Sequence, residues 1–207
     1  ILSAIVIIFS SLTLLSLPVL FNYESKVIKI EKNFYKNFKI YLNSSGKISY
    51  KPFPKPHLLV EKAAINLHND KESKNLINTS SLKIFISLRD IYLRSFVEMK
   101  SIEISNTNLE LKLSDLKSIR RHLYQKINKK IVLNNCKVFL RNKKNEVILI
   151  SPLKKTLYKI NRESKTKNFI IEGNVFGLNF KSQWKRNYDN PLNSYHNISF
   201  FNPKIEI

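Results

Sequence analysis

Acid–base or metal chemistry in this chain would have to be assembled from His57, His68, His122 and His196 with Asp70, Asp90, Asp115 and Asp189. The histidines stand 11, 54 and 74 positions apart, so none forms the HxxxH or HxH pair that sets two imidazoles side by side. No serine sits in a G-x-S-x-G elbow. Glu103 and Glu110 fall in alternating strand patterns, where a carboxylate reads as part of a solvated face. Cys136 is the single cysteine, with no disulfide partner and no zinc-ligand spacing, and its apolar run IVLNNCKVFL makes it a small buried hydrophobe. Three glycines, Gly46, Gly173 and Gly177, are too few and too far apart for a phosphate-cradling loop. The chain therefore reads as a non-enzyme, with no catalytic residue, no metal and no cofactor assigned.

Those residues sit in 207 positions, enough for one domain with a real core. Lys and Arg outnumber Asp and Glu 36 to 15, yet 43% of residues are hydrophobic, which excludes a disordered basic tail. Lysine outnumbers arginine 29 to 7, the basic residues never run longer than pairs, and Lys, Asn and Ile all have A/T-rich codons. Readers of nucleic acid favour the arginine fork, so a nucleic-acid or anionic-surface partner ranks last among the binding readings.

Residues 1–21, ILSAIVIIFSSLTLLSLPVLF, hold 15 apolar side chains and no charge. As a helix they span about 31 Å, a bilayer core, and exceed the hydrophobic region of a signal peptide. The exit SLPVLFNYESK has no small-x-small cleavage site, so an uncleaved transmembrane signal anchor is expected, with the bilayer as its partner. Lys26, Lys29, Lys32 and Lys36 follow closely, which by a literal positive-inside count votes for a cytoplasmic domain. The start at Ile1 suggests an excerpt whose own basic flank would reverse that vote.

Residues 22–37 read as a juxtamembrane linker and amphipathic helix, with Val27, Ile30, Phe34 and Phe38 at helical spacing, that lies on the bilayer or caps the domain. From Phe38 onward, 38–207 reads as a β-rich domain. Extended runs flank Gly46, a Pro52, Pro54, Pro56 corner follows, and His57–Leu67 resumes as a strand. Leu82, Ile84, Ile86 and Leu88 alternate with other residues, as do Leu109, Leu111 and Leu113, then Val147 and Leu149, Phe169 and Ile171, and Phe176, Leu178 and Phe180 on to Trp184. One helix, capped by Ser114 or Asp115, carries Leu116, Ile119, Leu123 and Ile127 on one face. Polar stretches 69–80, 161–168 and 188–197 read as loops. The fold class is mainly β: one N-terminal transmembrane helix, then a curved antiparallel β-sheet of 8 to 11 strands with one or two short helices. One-sided apolar strands suit either a closed sandwich or an open groove, and the pattern leaves both open.

The order of elements resembles the N-terminal region of the AsmA-like family of bacterial envelope proteins. FKIYLNSSGKISYKPFPKPHLLVEKAAINLHN matches its hairpin, Pro-containing corner and strand through Pro56, Leu58, Val60, Ala63, Ile65 and Leu67. Leu82–Leu93 and Met99–Asn106 follow the family order, as does the strand-turn-strand KKIVLNNCKVFLRNKKNEVILI, so the likeness covers residues 1–150. Most family glycines are replaced, and family members are much longer, which makes this chain an excerpt or a reduced form. The resemblance implies a single-pass inner-membrane anchor, a periplasmic β domain and a part in phospholipid transport or outer-membrane assembly. It implies a lipid groove, for which Leu82, Ile84, Ile86, Leu109, Leu111 and Leu113 are the candidates, with phospholipid as the ligand. The alternative is an anchored scaffold that binds another envelope protein.

Overall fold

The computed structural model describes residues 2–67, 76–125, 127–190 and 194–201. His68 and Asp70 lie outside them. Helix α1 (Leu2–Ser16) passes into a 3-10 turn at Leu17–Leu20, where Pro18 costs no helical hydrogen bond. Together they make a 19-residue apolar helix, mean hydropathy 2.2, almost wholly unburied, long enough to cross a membrane.

Helix α2 (Val27–Phe38) ends at Lys39, whose left-handed φ of 56° lets its N–H reach the Tyr35 carbonyl at 2.7 Å. Its stripe of Ile30, Phe34 and Phe38 is fully buried. Asn33 donates to the Ser95 carbonyl (3.0 Å) and Asn37 to that of Val97 (2.8 Å), while the Met99 N–H donates to Asn37 Oδ1 at 3.3 Å. This helix caps the domain. Phe38 is accordingly its last residue and not the start of a strand, which begins at Tyr41.

Among the described residues eleven strands form one sheet: β1 (Tyr41–Ser44), β2 (Ile48–Lys51), β3 (His57–Asn66), β4 (Ile77–Ile86), β5 (Met99–Ser105), β6 (Asn108–Lys112), β7 (Lys130–Arg141), β8 (Val147–Asn161), β9 (Thr166–Val175), β10 (Leu178–Asn187) and β11 (Ser194–Phe201). Their order is β1-β3-β4-β5-β7-β8-β9-β10-β11, with β2 on β3 and β6 bridging β4 and β7. Pairing is antiparallel except that β7 lies parallel to β5 and β6. Helix α3 (Leu88–Tyr92) links β4 to β5, and the parallel crossover from β6 to β7 carries α4 (Leu113–Gln125).

Several sequence expectations are corrected. Leu88 and Leu113 belong to α3 and α4 because the alternation runs into each helix, and α4 starts ahead of Ser114 and Asp115, so neither caps it. Ile127 lies beyond α4, buried in the segment that follows. Phe176 and Gly177 are a two-residue turn with φ of 51° and 81°, and Phe176 is 85% exposed. The polar stretches shrink as well: β4 already begins at Ile77, Asn161 pairs with Thr166 across a tight turn, and β11 begins at Ser194.

Paired residues share a face, so the registers trace continuous rows across the sheet. One runs Ile48, Val60, Leu82, Ile104, Leu133, Thr156, Ile171, Ser182, Ile198. Its neighbour runs Tyr50, Leu58, Ile84, Ile102, Ile131, Tyr158, Phe169, Trp184, His196. The α2 stripe belongs to the same core cluster as the early members of both rows. Further along, the Tyr158 hydroxyl donates to the Ile127 carbonyl (2.8 Å), and Arg120 of α4 stacks 5.0 Å over Trp184. Burial therefore falls along the row, from 0% exposure at Leu82 to 48% at Ile198.

Candidate apolar site

The candidate groove residues separate. Leu82, Ile84 and Ile86 are together on the inner face of β4, fully packed in the core. Leu109 is buried opposite Ile77 and Val138, and Leu111 is half-buried opposite Leu140. Leu113, on α4, is 47% exposed and apart from the β4 set.

The uncovered part of the same face lies on the late strands. There the row Cys136, Leu153, Gly173, Phe180, Phe200 runs from buried to open, beside Leu178 and Ile198. Strand alternation carries Phe180 and Leu178 in the sequence. The signal for the rest is Gly173, since a glycine inside a strand pattern marks a bulge or a close backbone approach. Both occur here: Lys154 is an extra residue between the Leu153 and Lys155 pairings, and Asn135 adopts a φ of 51° on the neighbouring strand. At these irregularities a concavity of about 670 Å³ opens. Its lining takes Leu153 and Phe180 from this face and Phe201, Lys137, Lys181 and Glu172 from the opposite one, with Lys154 at the bulge between them.

Its electrostatics are net basic. Glu172 pairs with Lys181 directly across the ladder at 2.9 Å, and that hydrogen bond holds its carboxyl below the usual range, with the charges of Lys181, Lys155 and Lys154 adding to it. Glu103 and Glu110 are likewise partnered, by Lys83 (3.0 Å) and Arg141 (2.7 Å), on faces where plain solvation was expected. Lys167 is buried in the inner row's flank, with Nζ 3.4 Å from the Ile127 carbonyl, and burial pushes its ammonium below the ordinary lysine range, Arg186 opposite contributing. His57 Nδ1 is 2.8 Å from the Lys55 carbonyl, His122 Nε2 contacts the Lys39 carbonyl, and His196 Nε2 is 3.2 Å from Ser182 Oγ. Among the described residues no three His, Cys, Asp or Glu side chains gather as a metal site.

Cys136 is buried, and burial pushes its thiol above the usual range. Thiolate is the reacting form, so maleimide labelling of the folded protein is expected to be slower than that of the urea-unfolded chain by at least about tenfold. Mass spectrometry of timed labelling reads the two rates.

Neither a family model nor a curated protein matches this chain.

Proposed function

We propose that this chain is a non-enzymatic envelope protein, anchored in the inner membrane with its β domain in the periplasm. In this reading the late strands hold phospholipid acyl chains on their uncovered apolar face, as the AsmA-like resemblance implies. The observation that supports it most is that the row through Ile171 and Ser182 to Ile198 and the row through Leu153, Gly173 and Phe180 to Phe200 leave the covered core and end on exposed apolar side chains. Such a face binds acyl chains without polar partners, each buried methylene contributing about 0.8 kcal/mol. Five strands at 4.7–4.9 Å spacing make a strip of about 19 Å, a length suited to a long acyl chain. Retention of the anchor is supported by its bonding into the domain: Pro18 is buried, and its carbonyl accepts the Tyr23 hydroxyl at 2.7 Å.

A second reading rests on a separate observation. Strand β11 is hydrogen-bonded to β10 alone among the described residues, and a free edge can accept a partner's strand. Photo-crosslinking separates the two. Benzoylphenylalanine at Phe180 and Phe200 is expected to capture phospholipid in native membranes, while the same group at Gln183, on the opposite face, captures none. A protein adduct at Phe200 without lipid would favour the scaffold, and equal lipid capture at Gln183 would remove the groove reading.

A further inference from the structure

The apolar helix is not joined to the domain by a free linker. Three connections at one end of the sheet gather around its last turns: the anchor exit at 17–23, the β2–β3 corner at 51–56 and the β4–β5 segment at 88–97. The Tyr92 hydroxyl donates to the Leu14 carbonyl, and Phe21 meets the Tyr92 ring edge-on at 5.9 Å. The Arg94 guanidinium lies 4.6 Å from the Phe21 ring, and β2 packs on the turn Leu17–Leu20. Lys29 at the start of α2 donates to the Arg94 carbonyl at 2.8 Å, fixing the segment from the other side.

Leu14 lies inside the apolar span, which runs to Leu20. Six further residues rise about 9 Å in a helix, so a domain segment bonded at Leu14 stands beside side chains that a crossing helix places within the bilayer. The same end exposes apolar side chains from all three connections: Leu20 (83%) with Leu17 and Val19, Phe53 (61%), and Leu93 (64%) with Val97. Around them Lys51, Lys55, Arg89 and Arg94 are exposed. Of the two carboxylates in these connections and the adjoining 24–26 turn, Asp90 is engaged by Ser87 and Ser95 (2.7 and 2.6 Å), leaving Glu24 exposed. Apolar tips, tyrosines and a surplus of cations are the composition of a membrane–water interface.

From this we infer that this end of the domain is a bilayer-docking surface. Leu20, Phe53 and Leu93 enter the acyl boundary of the leaflet from which the domain emerges, and Lys51, Lys55, Arg89 and Arg94 lie among anionic headgroups. The helix then positions the sheet at a fixed attitude on the membrane instead of tethering it at a distance. The inference rests on the reading of the apolar helix as membrane-spanning.

The test uses the full chain, with Cys136→Ser as background, in nanodiscs of phosphatidylcholine and phosphatidylglycerol. Bimane is attached at Phe9→Cys in the helix, at Phe53→Cys and Leu93→Cys on the surface, and at Lys144→Cys in the distant β7–β8 turn. With lipids brominated near the headgroup end of the acyl chain, emission from positions 53 and 93 is expected to fall about twofold or more, since docked side chains reach roughly 5–10 Å into the interface. Position 144 is expected to be unaffected. Replacing Lys51, Lys55 and Arg89 by Gln is expected to weaken quenching at 93. Quenching at Phe9 with lipids brominated at mid-chain, but none at 53 or at 93, overturns docking while leaving the anchor intact. No quenching at Phe9 overturns both.

Discussion

Phe34→Ala is expected to destabilise the domain by about 3–5 kcal/mol, the range for truncating a buried aromatic to alanine. The ring is fully buried, 4.9 Å from that of Phe38, at the centre of the only stripe α2 turns toward the sheet. A cavity there sits between the helix and the inner row, and Asn33 and Asn37 hold α2 to the 95–99 segment, so the helix is poorly placed to collapse into it. Thermal unfolding in detergent, followed by circular dichroism, is expected to shift down by roughly 10 °C for a chain of this size. Ile28→Ala, nearly two turns earlier at an exposed position, is expected to fall within about 0.5 kcal/mol of the parent. An unchanged transition for Phe34→Ala would mean that α2 is not the cover of the core.

Gly173→Val is expected to cost about 1–3 kcal/mol, in spite of valine's preference for strands. A Cβ at position 173 would stand 2.6 Å from the Pro152 carbonyl oxygen and 2.9 Å from Leu153 Cδ2, and the first of these is backbone that cannot swing aside. Relief requires β8 and β9 to part at the Lys154 bulge, which is where the concavity lies. Gly177→Asn is the contrasting change. Gly177 has nothing within 4 Å of its added Cβ, so the only cost is its φ of 81°, which strains any L side chain and asparagine least, and the loss read from the midpoint in urea is expected to be about 1 kcal/mol or less, below that of Gly173→Val. Equal losses at both positions would contradict the assignment of Gly173 to close approach.

Much of this architecture is legible from residue spacing. The uncharged run at the start has the length of a bilayer core, and Ile30, Phe34 and Phe38 recur at the period of the face they bury. The His57–Leu67 strand also follows from alternation, and the eleven strands among the described residues fall at the top of the 8 to 11 that alternation suggests. Where the reading fails, a local rule is silent. A two-residue turn preserves odd–even parity, so Phe176 continues the rhythm of Leu178 and Phe180 although its backbone has reversed. Leu88 and Leu113 keep the strand rhythm for one residue after a helix has begun, because a single position carries no period. Parallel pairing of β7 with β5 and β6 is a long-range choice with no local mark. For the site, alternation marks which side chains are apolar but not which are covered. That depends on where α2 and α4 come to rest, and it leaves Leu82 sealed and Ile198 open on one continuous row.

The strands from β7 to β11 follow one another in sequence order, joined by the turn at 142–146, the reversal at 162–165, the pair Phe176–Gly177 and the segment 188–193. Within the sheet β8 to β11 pair only with their immediate neighbours, and among the described residues no second sheet lies behind them. Cooperativity in such a strip is a nearest-neighbour property, so fraying is expected to proceed inward from β11 toward the helix-covered core and to stop there. The same arithmetic applies to growth. A further hairpin on the β11 edge adds about 10 Å of face without asking for a new core, which makes reach a quantity that insertion can tune independently of folding.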